Sequence, residues 1–126
     1  MASHKNRIIK MIWYTYKAND NVVVNQFVQL SSDGVTVELH TTGTPIGICQ
    51  DSYLTEGTQE RYCKVYVAGG GGQDAVLSSS WSGSQSRFDV VESKIIPVSS
   101  GGIGWIIPFF PQSAKNPDEV VKVAIY

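Results

Sequence analysis

Gln26-Phe27-Val28-Gln29-Leu30-Ser31-Ser32-Asp33-Gly34-Val35-Thr36-Val37-Glu38-Leu39-His40 is the stretch whose reading decides the fold class. Two runs rich in β-branched and aromatic residues flank Ser31 to Gly34, and Asp33-Gly34 supplies the positive-φ position that a tight antiparallel turn requires. In the second run Val35, Val37 and Leu39 alternate with Thr36, Glu38 and His40. A period of two puts three apolar side chains on one face and three polar ones on the other, as in a strand buried on one side only. His40 is therefore expected to point to solvent.

Working outward, similar runs recur at short intervals between Gly, Ser, Asn and Asp punctuation, while helical periodicity is nearly absent. The spacing predicts strands over 8–16, 26–30, 35–40, 45–49, 60–67, 87–91, 104–107 and 120–126. The fold class expected is all-β: a compact antiparallel barrel or sandwich, of one β unit or of two related β lobes, with little or no helix. Asn116-Pro117-Asp118-Glu119 carries a helix-start signal. Val121, Val123 and Ile125 then alternate with their neighbours, so a turn followed by a terminal strand is the better reading. Gly69 to Gly72 lacks the Lys and Ser/Thr of a phosphate loop and is expected to be a flexible loop. Leu77 to Ser86 is loop-like too, and its Trp81 either caps the core or sits exposed at a contact.

With 126 residues, 42% of them hydrophobic and 17% charged, the chain is long and apolar enough to fold around one core. A basic N-terminal arm over 1–7 and one β domain over 8–126 are expected. The net charge of -1 gives no pull toward nucleic acid or an anionic membrane, so neither is expected as a partner. Lys5, Arg7, Lys10 and Lys17 nevertheless lie together at the start with no acid among them. Such an arm is either solvated or laid on an acidic partner surface. No run of eighteen apolar residues occurs, and two cysteines are too few for a disulfide scaffold, which suggests synthesis in a reducing cytoplasm.

An order of features occurs twice. Pro45-Ile46-Gly47-Ile48-Cys49 is followed by a polar stretch and Glu60-Arg61-Tyr62-Cys63-Lys64-Val65-Tyr66-Val67. Gly102-Ile103-Gly104-Trp105-Ile106 is followed by a polar, proline-containing stretch and Glu119-Val120-Val121-Lys122-Val123-Ala124-Ile125. The glycines are offset by 57 and the lysines by 58. A real repeat would give two related lobes that bury open sheets against each other.

The order of strand, Asp-Gly turn, strand, Pro45-Ile46-Gly47-Ile48, acidic loop and strand resembles that of small capsid decoration, or cement, proteins of tailed phages. The matching stretches are Asn25 to Gln50, Glu56 to Val67 and Ser99 to Tyr126. The chain departs from the pattern in lacking Ala-rich loops and in carrying Trp105-Ile106-Ile107-Pro108-Phe109-Phe110-Pro111. The resemblance implies a protein on the outside of the virion that binds the expanded phage head, as a homotrimer, and bridges subunits of the major capsid protein. It implies no catalysis. The alternative is a head-fibre base or a carbohydrate-binding module, with Trp13, Trp81 and Trp105 as a stacking platform.

No catalytic set, cofactor site or metal site is expected. His4 and His40 neighbour no nucleophile in a triad-like setting, and Asp118 and Glu119 point to opposite faces. Asp51, Glu56 and Glu60 crowd one loop, which suits solubility better than calcium binding. Cys49 and Cys63 cannot complete a zinc site, but they fall on successive strands and are possible cross-strand neighbours. The candidate capsid or trimer contacts are Lys5, Arg7, Lys10, Trp81, Phe109 and Phe110. Two prolines leave the Phe pair on a loop, where it either plugs one end of the core or anchors a partner.

Overall fold

The computed structural model describes residues 10–107 and 114–125, which hold nine strands and no helix. They are β1 (Ile12–Lys17), β2 (Phe27–Leu30), β3 (Val37–Leu39), β4 (Gly47–Leu54), β5 (Arg61–Val76), β6 (Arg87–Val91), β7 (Lys94–Val98), β8 (Gly104–Ile106) and β9 (Val120–Ile125). The protein is all-β. All ladders between these strands are antiparallel and form one open path, β3-β2-β4-β5-β9-β8-β6-β7, with β1 lying beside β5.

That order is a palindrome of two like units. In the first lobe β1 pairs the front half of β5, which pairs β4, then β2, then β3. In the second the back half of β5 pairs β9, which pairs β8, then β6, then β7. The agreement extends to single bonds. Isolated parallel bridges join Ala18 to Val37 and Leu77 to Ile95. Asn19 N donates to Val37 O, and Ser78 N to Ile95 O, both at 2.8 Å. The two glycines of the sequence repeat also match. A Cβ on Gly47 would collide with the carbonyl of Tyr66, and one on Gly104 with the carbonyl of Ala124. Only glycine lets the crossing strand approach that closely.

Each lobe has its own inner core. The first packs Ala18, Val22, Val28, Val37, Cys49, Cys63 and Val65. Offsets of 57 to 60 carry these onto Leu77, Trp81, Phe88, Ile95, Ile106, Val121 and Val123, all buried in the second. Full burial of a Val, Ile or Phe contributes about 1.5–3 kcal/mol, so the second lobe, with the larger side chains, has the stronger core. The lobes meet where Phe27, Ile48 and Tyr66, on the outer face of the first sheet, join the second lobe's cluster. The rings of Phe27 and Phe88 are 6.1 Å apart, and the Tyr66 hydroxyl accepts from Ile125 N at 2.9 Å.

Several expectations need correction. The glycine run is not a loop: it lies inside β5, where the strand leaves the first lobe for the second. Gly69, at φ 106°, passes so near the Lys10 carbonyl that a Cβ would clash, and the ladder to β9 shifts register between Gly69 and Gln73. The β2–β3 hairpin forms, but its connection runs from Ser31 to Thr36, leaving Val35 exposed outside the strand. His40 does not face solvent. It is buried, accepts from Ser93 N at Nδ1 (3.2 Å) and bonds Gly43 O through Nε2 (2.7 Å). The cause is tertiary, because the β6–β7 turn of the second lobe covers it.

Strand β7 has no counterpart in the sequence reading. The turn before it uses Glu92 and Ser93 at φ 45° and 71°, a left-handed pair without the glycine or asparagine that marks such turns. Pro97 is tolerated because β7 ends the sheet path. Strand β4 also runs on to Leu54, through polar residues that alternate toward solvent beyond a bulge at Gln50.

Candidate interaction surface

Strand β1 carries an apolar or aromatic residue at Ile12, Trp13, Tyr14 and Tyr16, so both of its faces are apolar. Lying beside β5 in this open sheet, β1 is exposed from Ile12 to Thr15 and half-buried only at Tyr16. Tyr16 packs against the inner core of the first lobe. Trp13 and Thr15, on the other face, point outward, and Trp13 and Tyr14 are 47% and 56% exposed.

The registers place this outer face in rows. Lys17 lies opposite Tyr62, which lies opposite Tyr53; Thr15 lies opposite Lys64, then Asp51; Trp13 lies opposite Tyr66, then Ile48. The last row runs under the second lobe and is buried at Tyr66 and Ile48. The other two rows are open. The Tyr53 and Tyr62 rings lie 6.1 Å apart at 23°, and Tyr53 is 44% exposed. Lys64 Nζ sits 3.8 Å from the centre of the Trp13 ring, a cation–π contact that fixes the indole against the sheet. Lys17 pairs with Glu60 at 3.3 Å, and the Tyr62 hydroxyl donates to the same carboxylate at 3.2 Å. Both are surface contacts of small energetic weight that hold ring and chain in place. The result is a preformed surface in which Trp13 and the Tyr53–Tyr62 pair flank a polar row of Thr15, Lys64 and Asp51, with Lys17 at its margin.

A second feature is the cleft between the lobes. It has a volume of about 320 Å³ and is lined by Phe27, Ile46, Gly47, Arg87, Ile103 and Trp105 among others. Both copies of the Ile-Gly repeat thus border one opening. The Arg87 guanidinium lies 4.2 Å from the Trp105 ring centre and donates from Nε to Gly101 O.

Of the contacts predicted from sequence, Trp81 is corrected outright. It is 5% exposed in the second core, and its Nε1 donates to Gln85 O at 2.9 Å. It therefore caps the core and adds nothing to a stacking platform. Lys10 is exposed and precedes β1. Lys5, Arg7, Phe109 and Phe110 lie outside the described residues, as does the arm over 1–7. The acids suspected of crowding do not converge: Asp51 is on β4, while Glu60 pairs with Lys17. Asp118 sits in the turn before β9 and pairs with Lys94 at 2.8 Å. Sequence reasoning named Trp13 only in a stacking platform with Trp81 and Trp105, and missed Tyr14, Tyr53 and Tyr62. The available signal was the aromatic content of both faces of β1. Comparison of the chain with protein-family models, curated proteins and solved structures gives no match.

Proposed function

We propose that this chain is a non-enzymatic structural protein of a virion, a capsid decoration protein that binds the outer surface of an expanded phage head and bridges subunits of the major capsid protein. The observation that carries the binding role is the exposed face on which Trp13 and the Tyr53–Tyr62 pair flank Lys64, with Lys17 at its margin. Contiguous exposed aromatic surface rimmed by polar groups marks a contact site. The capsid as partner rests on the order of segments shared with decoration proteins, and self-association as a homotrimer rests on that same resemblance.

The test combines copy number with mutation. Quantitative mass spectrometry of purified virions is expected to find this chain at a simple ratio to the major capsid protein. The double variant W13S/Y53S, folded by circular dichroism, is expected to lose at least about tenfold in affinity for expanded capsids, as removal of two aromatic anchors would cause. A handful of copies per particle, or unchanged affinity, would overturn the reading. A carbohydrate-binding role is the second reading, favoured by the stacked Tyr53–Tyr62 pair beside Lys17. Retention on a glycan array that W13S/Y53S abolishes would put it first.

A further inference from the structure

The inner core of the first lobe contains two thiols at positions where the second lobe has Ile106 and Val121. Cys49 and Cys63 are fully buried, and their sulfurs are 2.9 Å apart across the β4–β5 ladder. A disulfide requires closure to about 2.05 Å, so the sulfurs must move by less than about 1 Å. We propose that Cys49 and Cys63 form a site of covalent modification, a peroxide-formed cross-strand disulfide that clamps the weaker of the two lobes.

Three observations converge on it. At most of the matched core positions the first lobe has the smaller side chain: Ala18 for Leu77, Val22 for Trp81, Val28 for Phe88, Val37 for Ile95. This is the half in which a covalent link has most to add. The thiols are also unequal. Cys63 donates its hydrogen to Cys49 Sγ, which holds the Cys49 thiol below its ordinary value and pushes that of Cys63 up. Cys49, the thiol beside the ladder irregularity, is the one that peroxide reaches first, and Cys63 is the resolving thiol. Finally, Cys49 is one residue from the bulge at Gln50, beyond which Asp51 is exposed, so local opening of the ladder there admits a molecule as small as hydrogen peroxide.

The chemistry balances with that oxidant alone. The Cys49 thiolate attacks one peroxide oxygen, the O–O bond breaks, and hydroxide leaves, giving Cys49 sulfenic acid. The Cys63 sulfur then attacks the sulfenic sulfur. The S–S bond forms, the S–O bond breaks, and the departing hydroxide takes the Cys63 proton. Two thiols and one hydrogen peroxide become one disulfide and two waters. The inference holds whatever the aromatic face binds.

The experiment treats the native, full-length chain with hydrogen peroxide and follows intact mass, free thiols and thermal unfolding. The expected result is loss of two hydrogens, no titratable thiol, a higher unfolding midpoint, and reversal of all three by a phosphine reductant. C63V, taking the residue of the second lobe, removes the donor that lowers the Cys49 thiol and is expected to react with peroxide more slowly than the parent and never to lose two hydrogens, any Cys49 sulfenic acid that forms being trapped by a dione. C49I/C63V is expected to fold and to show no midpoint shift with peroxide. Two thiols that stay titratable in the folded protein, oxidation that appears only in denaturant, or cross-linking between chains would each overturn the proposal.

Discussion

The carboxylate of Asp33 accepts from the Ser31 hydroxyl, from the amides of Val35 and Thr36 and from the Thr36 hydroxyl, at 2.5 to 2.9 Å. The Thr36 hydroxyl first, then the two amides and Ser31, hold its carboxyl well below the usual carboxylate range. A carboxylate depressed in the folded state stabilises above its unfolded value, near 4, and that contribution is lost as pH falls through the folded value. D33N should therefore be less stable than the parent at neutral pH. The two urea midpoints should converge as pH falls below about 4, and a gap that stays constant well below that pH would contradict the assignment. Asp33 was legible in the sequence as a turn residue. His40 was misread, because its polarity and its place in the alternation both pointed to water, whereas its partner Ser93 arrives from another lobe.

At the scale of elements, the close approach at Gly47 and Gly104 makes a sharp prediction. G47A and G104A each drive a methyl into a backbone carbonyl of the neighbouring strand and should lower stability by about 1–3 kcal/mol or more. V35A, at an exposed loop position, should stay within about 0.5 kcal/mol of the parent. Denaturant titration of the three checks this, and a G47A as stable as V35A would refute the packing argument. The hairpin β2–β3, strand β8 and the terminal turn and strand were legible because their turn residues and alternation are local signals. Strand β7 was not, since Glu92 and Ser93 adopt left-handed backbone without a residue type that favours it. The glycine run of β5 misled for the opposite reason: glycine there permits close passage past Lys10, not freedom of motion.

At the scale of the whole molecule, the described residues form two copies of one five-strand plan that share β5, and the halves differ in side-chain volume more than in topology. Hydrogen exchange should reflect this: in the reduced protein, the amide of Val65 should exchange at least about tenfold faster than that of its counterpart Val123, equivalent to about 1.4 kcal/mol. Equal rates would mean that the lobes open only together. The repeat and the all-β class were determined by the sequence alone, because turn chemistry and a period of two act over a few neighbouring residues. Which second faces are covered was decided only by the tertiary structure. Tyr66 and Ile48 lie under the second lobe while Tyr53 and Tyr62, on the same sheet face, remain open. Trp81 is enclosed while Trp13 is not. Alternation specifies which side chains share a face, but the element that packs on that face comes from a part of the chain remote in sequence, and no local pattern encodes its arrival.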